Sequence, residues 1–183
     1  MKRALIITGC LAVALVLGGW LARPHIATVL AERNAAKNRT ANHLSEDALH
    51  ALVSDPALTL FSIDPHPGAA DLSSLSTFQG RVVLGQATVA ALEQRQRLAD
   101  VLRQGLSNWS GSHVISCFNP RHAIRATDGS RTHDFLICFE CGRLYYYPPN
   151  SERRQLQIRT KAGPFNEILA AANIPIPQEP QNQ

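Results

Sequence analysis

The sequence predicts an α+β domain, a mainly antiparallel sheet with helices packed on one face, preceded by one N-terminal transmembrane or signal helix. Three observations predict it. Residues 4–22 carry no charged side chain. Short β-branched and aromatic runs follow one another through turn residues, and Asp128-Gly129 is the strongest hairpin signal among them. Two amphipathic helical patterns, over 89–106 and from Pro164 onward, offer apolar faces that need a sheet to cover them.

The nineteen uncharged residues follow Lys2 and Arg3. As a helix they would be about 28 Å long, close to the hydrocarbon thickness of about 30 Å. Trp20 stands near one end, where interfacial aromatics belong, and Arg23-Pro24 closes the run. An uncleaved anchor ranks first. A cleaved signal ranks second, because Trp20 occupies the place where small residues would be needed. A lipoprotein ranks third: Ile7-Thr8-Gly9-Cys10 has the form of a lipobox, but the apolar run continues past Cys10. Two basic residues before the run favour an inside N-terminus, with the C-terminal domain outside the cytoplasm of an inner or plasma membrane. The alternative is a secreted or periplasmic domain after cleavage.

The expected organisation is an anchor or signal at 1–23, a stalk at 24–44, one α+β domain at 45–174 and a disordered Pro/Gln tail at 175–183. Ser45 reads as an N-cap followed by Glu46 and Asp47, with Leu44 and Leu49 as a hydrophobic staple. That helix stops before Asp55-Pro56. Leu58–Ile63 is a strand, 64–78 a loop and Arg81–Leu84 a second strand. In the 89–106 helix Leu98, Val101, Leu102 and Leu106 form the apolar face, while Glu93, Arg95, Arg97 and Asp100 lie largely off it. His113–Ala126 and Arg131–Tyr147 form the two arms of the hairpin. Gln155–Arg159 is a further strand. The last helix begins with Pro164 at its first turn and buries Phe165, Ile168, Leu169 and Ala172.

Composition excludes several classes. A hydrophobic fraction of 45% is that of a globular body, not of a disordered one. The net charge is +4, but the arginines are spread from Arg3 to Arg159, so no nucleic-acid partner is expected. A basic surface beside an anionic membrane accounts for the charge. P-loop, dinucleotide, G-x-S-x-G and H-E-x-x-H patterns are absent from the sequence.

The chemistry-bearing residues gather around the hairpin. With a two-residue Asp128-Gly129 loop, Thr127 faces Ser130. One face then carries Phe118, His122, Ile124, His133, Phe135, Ile137, Phe139 and Cys141. The other, more polar face carries Cys117, Asn119, Arg121, Arg125, Asp134, Leu136, Cys138 and Glu140, with Arg125 near Asp134. Cys117 and Cys138 become diagonal neighbours and a candidate disulfide, and Cys141 points away from Cys138. His122 and His133 are diagonal neighbours read as satisfied structural histidines.

A rival reading takes Cys138-Phe139-Glu140-Cys141-Gly142 as a metal knuckle. Cys117 and His122 would complete a tetrahedral zinc-type site with Cys138 and Cys141, and His133 could join it. That needs the second arm to break near Cys138, whereas the flanking residues favour one continuous strand. A redox C-x-x-C ranks last, because no βαβ unit precedes the pair and it opens no helix.

Cys117-Phe118-Asn119-Pro120-Arg121-His122-Ala123-Ile124-Arg125 and Asp134-Phe135-Leu136-Ile137-Cys138-Phe139-Glu140-Cys141 resemble the signature of a group of small bacterial proteins with no established activity. The resemblance spans a third to a half of the chain and implies kinship of fold, not a chemistry. The leading expectation is therefore a membrane-tethered envelope domain acting as a non-enzymatic interaction module with a protein partner. The alternative is a metal-binding or hydrolytic envelope protein built on the Cys/His cluster.

Overall fold

A computed structural model of the protein describes residues 42–66, 75–110 and 117–177. The chain divides into units Met1–Ala41 and Asn42–Gln183, and every described residue belongs to the second. The expected anchor and most of the stalk lie outside the described residues, as do 178–183 of the tail. Among the described residues no helix is long and apolar enough to cross a membrane.

The described residues form an α+β domain with a seven-stranded antiparallel sheet and three helices. In chain order they are α1 (Glu46–Ser54), β1 (Thr59–Ile63), β2 (Thr77–Phe78), β3 (Arg81–Thr88), α2 (Leu92–Ser107), β4 (His122–Asp128), β5 (Arg131–Cys138), β6 (Arg143–Tyr147), β7 (Arg154–Gln157) and α3 (Gly163–Ala171). The strand order is β2-β3-β1-β4-β5-β6-β7.

Local chemistry accounts for the boundaries. The Ser45 hydroxyl accepts the Ala48 N–H and caps α1, whose first turn carries Glu46 and Asp47. Asp55 then ends the helix ahead of Pro56. Its buried carboxylate accepts the N–H of Ala57 at 2.8 Å and of Thr127 at 2.7 Å, so the end of α1 is tied to the hairpin. β2 and β3 meet through Gln79-Gly80, both at positive φ (48° and 75°), the backbone a two-residue type I′ hairpin requires. β4 and β5 meet through Gly129-Ser130, with Asp128 facing Arg131.

That last register differs by two residues from the expected one, in which Thr127 faces Ser130. A shift of two preserves the side-chain parity, so His122, Ile124, His133, Phe135 and Ile137 still share a face. The buried residues of all three helices join that face. Ala48 and Leu52 of α1, Leu98 and Leu102 of α2, and Phe165 and Leu169 of α3 pack in one core with Leu60, Ile124, Phe135, Ile137, Leu144 and Tyr146.

The opposite face is less polar than expected. Phe61, Ile63, Phe78, Ala123 and Leu136 form a second buried cluster, against which Phe118 and Tyr145 pack. Phe118 was expected on the first face. It stacks on Tyr145 instead, at 3.9 Å between centroids, because β4 begins only at His122 and residues 117–121 do not alternate as a strand.

Other departures have equally local causes. Arg95 was expected off the apolar face of α2, yet it is buried. Its guanidinium donates to the carbonyls of Val53, Val89 and Ala90, closing the exit of α1 and the entrance of α2. Ala172, expected in the core, is exposed just beyond the end of α3. Asn42, expected in the stalk, is buried: it donates to Leu106 O and Gln157 O and accepts the Gln157 N–H. Pro175, expected in the tail, accepts the Ser62 hydroxyl proton.

Candidate functional site

The site forms where β5 ends. The expected continuous arm, Arg131–Tyr147, is two strands, because the chain reverses over Phe139-Glu140-Cys141-Gly142 and brings Cys138 opposite Arg143. Gly142 adopts φ +62°, a conformation that a side chain would resist. The Gly142 N–H donates to Phe139 O at 3.3 Å. This turn puts Cys138 and Cys141 on the same side of the backbone, and they are bonded as a disulfide.

Two expectations are thereby corrected. Cys141 does not point away from Cys138, since no strand runs between them. The candidate Cys117–Cys138 bridge is replaced by Cys138–Cys141, and Cys117 carries a free, half-buried thiol. Cys117 is nevertheless part of the same cluster: its Sγ lies 2.8 Å from Sγ of Cys141. Backbone donors face two of the sulfurs. The Cys141 N–H points to Cys138 Sγ at 3.1 Å and the Asn119 N–H to Cys141 Sγ at 3.5 Å. Arg143, nearly buried, donates to the Cys117 carbonyl at 3.2 Å and anchors that segment on β6.

Access divides the three cysteines. Cys138 and Cys141 are 1% and 3% exposed, whereas Cys117 is within reach of solvent. Among the described residues no three or more His, Cys, Asp and Glu side chains stand ready to hold a metal ion. Two of the four residues expected as ligands, Cys138 and Cys141, are committed to each other.

His122, the fourth expected ligand, belongs to different surroundings. Its ring lies edge-on to Phe139 and Phe165, and its Nε2–H donates to Asn166 Oδ1 at 2.7 Å. Nδ1 is buried without a partner among the described residues. Asn166 was missed from sequence: it lies on α3, and no local pattern links it to β4. His133 is separated from His122, facing Ala126 across the sheet and sharing a hydrogen bond with the Tyr146 hydroxyl at 2.8 Å.

Beside the turn, Asn119, Arg121, His122, Phe139, Glu140 and Asn166 line a cavity of ≈ 30 Å³. That is room for roughly two water molecules. Arg121, assigned to the more polar face with Glu140, is buried, and its NH1 donates to Glu140 at 2.6 Å. Arg125 and Asp134 face each other directly and form the expected pair through two hydrogen bonds, of 2.8 and 2.7 Å.

Burial pushes the His122 imidazole down from 6.5 to about 4, against the Asn166 hydrogen bond, and the Arg121 charge adds to the depression. Burial lowers His133 as well. Between pH 6.5 and 4 the unfolded His122 ring binds a proton that the folded ring refuses. Stability present above pH 6.5 is therefore lost as the pH falls toward 4, by about 3 kcal/mol from this residue. Denaturant titrations at pH 7.5 and 4.5 check this. The loss on acidification should be clearly smaller in His122→Gln; an equal loss would show that the ring is not held neutral by its burial.

No protein-family model, curated protein or solved structure matches the chain. The reading of function therefore rests on the geometry of the site.

Proposed function

We propose that the chain is an envelope-tethered thiol–disulfide relay, in which Cys117 meets external sulfur and Cys138–Cys141 stores the exchanged bond. The observation that carries it is the 2.8 Å approach of the free Cys117 thiol to a sulfur of the disulfide. A purely structural disulfide has no need of a third thiol in contact with it. The N-terminal apolar segment supports the reading too, since disulfides form and persist in compartments outside the reducing cytosol.

In the reduced protein the Cys117 thiolate attacks an external disulfide R–S–S–R′. A Cys117–S–S–R bond forms and R′S⁻ departs. The Cys141 thiolate then attacks Cys117 Sγ and expels RS⁻. Finally the Cys138 thiolate attacks Cys141 Sγ and releases Cys117 as thiolate, leaving Cys138–Cys141. One external disulfide is reduced to two thiols and two protein thiols become one disulfide. The reverse sequence oxidises external thiols. The protein partner expected from the sequence is the owner of the R–S group, and the tether keeps the reaction at the membrane surface.

The test uses full-length protein in detergent with Cys10 changed to serine. Before reduction, alkylation should modify one thiol, Cys117; after reduction it should modify three. The reduced protein should consume a small aromatic disulfide, release its two thiols and regain Cys138–Cys141, as mapped by peptide mass. A Cys117 that neither alkylates nor exchanges would overturn the relay.

A further inference from the structure

We infer that reduction of the Cys138–Cys141 bond turns the three-sulfur cluster into a soft-metal site, with Cys117, Cys138 and Cys141 as thiolate ligands and solvent in the fourth position. This stands independently of the relay: a bound ion would occupy the thiols that exchange requires.

The geometry supplies three ligands from two chain segments. Cys138 and Cys141 flank one four-residue turn, and Cys117 reaches it from the stretch before β4. In a tetrahedral zinc site with Zn–S bonds of about 2.3 Å, sulfurs stand about 3.8 Å apart. The present Cys117–Cys141 separation of 2.8 Å therefore needs to open by only about 1 Å, and breaking the disulfide releases the other constraint.

The backbone around the sulfurs suits thiolates. The N–H groups of Cys141 and Asn119 already point at Cys138 Sγ and Cys141 Sγ. Hydrogen bonds from backbone donors to anionic sulfur are charge-assisted and hold ligands in orientation. Gly142 at φ +62° lets the turn close directly behind the second cysteine. Three thiolates around a divalent ion leave one net negative charge, which the Arg143 guanidinium at the Cys117 carbonyl offsets.

The ligand set also chooses the metal. Three thiolates select zinc and similarly soft ions over calcium or magnesium, which take oxygen donors. His122 is not assigned as the fourth ligand: among the described residues it joins no group of three or more His, Cys, Asp and Glu side chains, and its ring is held between Phe139 and Phe165 with Nε2 on Asn166. Among the described residues protein oxygen ligands are likewise not gathered here, with Glu140 turned to Arg121.

The chemistry balances with a small dithiol as reductant. It delivers two electrons and two protons to Cys138–Cys141 and leaves as its own cyclic disulfide. Metal binding then displaces the thiol protons to solvent, so affinity rises with pH.

The experiment uses full-length Cys10→Ser protein in detergent, reduced with a dithiol, freed of it without air, and titrated with zinc or with cobalt as a coloured substitute. Reduced protein should take up one ion per chain; oxidised protein should take up none. The cobalt form should show thiolate-to-metal charge-transfer absorption of the strength of three thiolates, a readout that requires no variant. Cys117→Ser and Cys141→Ser should each lose stoichiometric binding, and His122→Gln should keep it. The inference is overturned if the reduced protein binds no metal, if Cys117→Ser binds as tightly as the parent, or if His122→Gln loses the ion. Exchange with an aromatic disulfide in metal-free protein reads the relay separately, so failure of one leaves the other standing.

Discussion

Truncation of Phe135 to alanine is expected to destabilise the domain by about 3–5 kcal/mol, the range of large-to-small changes at fully buried aromatic sites. Phe135 is 0% exposed in the middle of β5. It faces Ile124 on β4 and Tyr146 on β6, and its ring stacks on that of Tyr146 at 5.0 Å. The helix core lies above the same face. The cavity cannot close by a local shift, because strands on both sides hold the backbone in register. Arg131→Ala, at the start of the same strand, should have a much smaller effect. Its ion pairs with Asp47 and Asp128 lie in solvent, where such pairs contribute little. Chemical denaturation of both variants checks the contrast. Comparable losses would show that Phe135 does not occupy the centre of the core.

The same strand shows which parts of the fold are legible in sequence. Alternation assigns Phe135 and Ile137 to the core face, and it does so even though the expected hairpin loop is displaced by two residues. Parity is robust to such a shift, whereas the cross-strand partner of each residue is not. Signals that act within a few residues are equally readable: the Ser45 cap, the stop at Asp55-Pro56 and the proline in the first turn of α3. Arg95 was misplaced because its burial is decided elsewhere. Three carbonyls at the α1 exit and the α2 entrance converge on it, and no helical periodicity encodes them.

The site follows the same division. The sequence identifies Cys117, Cys138 and Cys141 as the residues of interest; its leading reading runs one strand through the bend that unites them, whereas the rival knuckle reading needs the break near Cys138, where it lies. Leu136-Ile137 and Leu144-Tyr145-Tyr146-Tyr147 both favour strand, so their propensity reads across the interval as one element. Gly142 was the available signal for the break. Its positive φ is the price of reversing the chain within four residues, and that reversal pairs Cys138 with Cys141. The diagonal Cys117–Cys138 bridge relied on β4 beginning before Cys117, whereas it begins at His122. His122 was assigned to the metal set by spacing alone. The partner that holds it, Asn166, lies 44 residues away.

Cys141→Ser is expected to stall exchange at a mixed disulfide on Cys117 and to slow its resolution by at least about a hundredfold, because the remaining route is bimolecular. The expectation follows from position. Cys141 Sγ is the sulfur in contact with Cys117, and it is shielded from outside reagents by burial. Serine preserves the size of the side chain and can still accept the Asn119 N–H, so the turn should keep its form. Cys138→Ser should behave differently. Resolution by Cys141 remains available, and the product should be a Cys117–Cys141 disulfide that goes no further. Cys117→Ser should abolish capture of the external disulfide altogether. Intact-mass analysis after mixing each reduced variant, on the Cys10→Ser background, with an aromatic disulfide distinguishes the three outcomes. Resolution of the Cys141→Ser adduct at the parent rate would mean that Cys138 reaches Cys117 directly, and the order of the relay would be wrong. Capture by Cys117→Ser at the parent rate would remove the half-buried thiol from the reaction and leave the disulfide with a structural role.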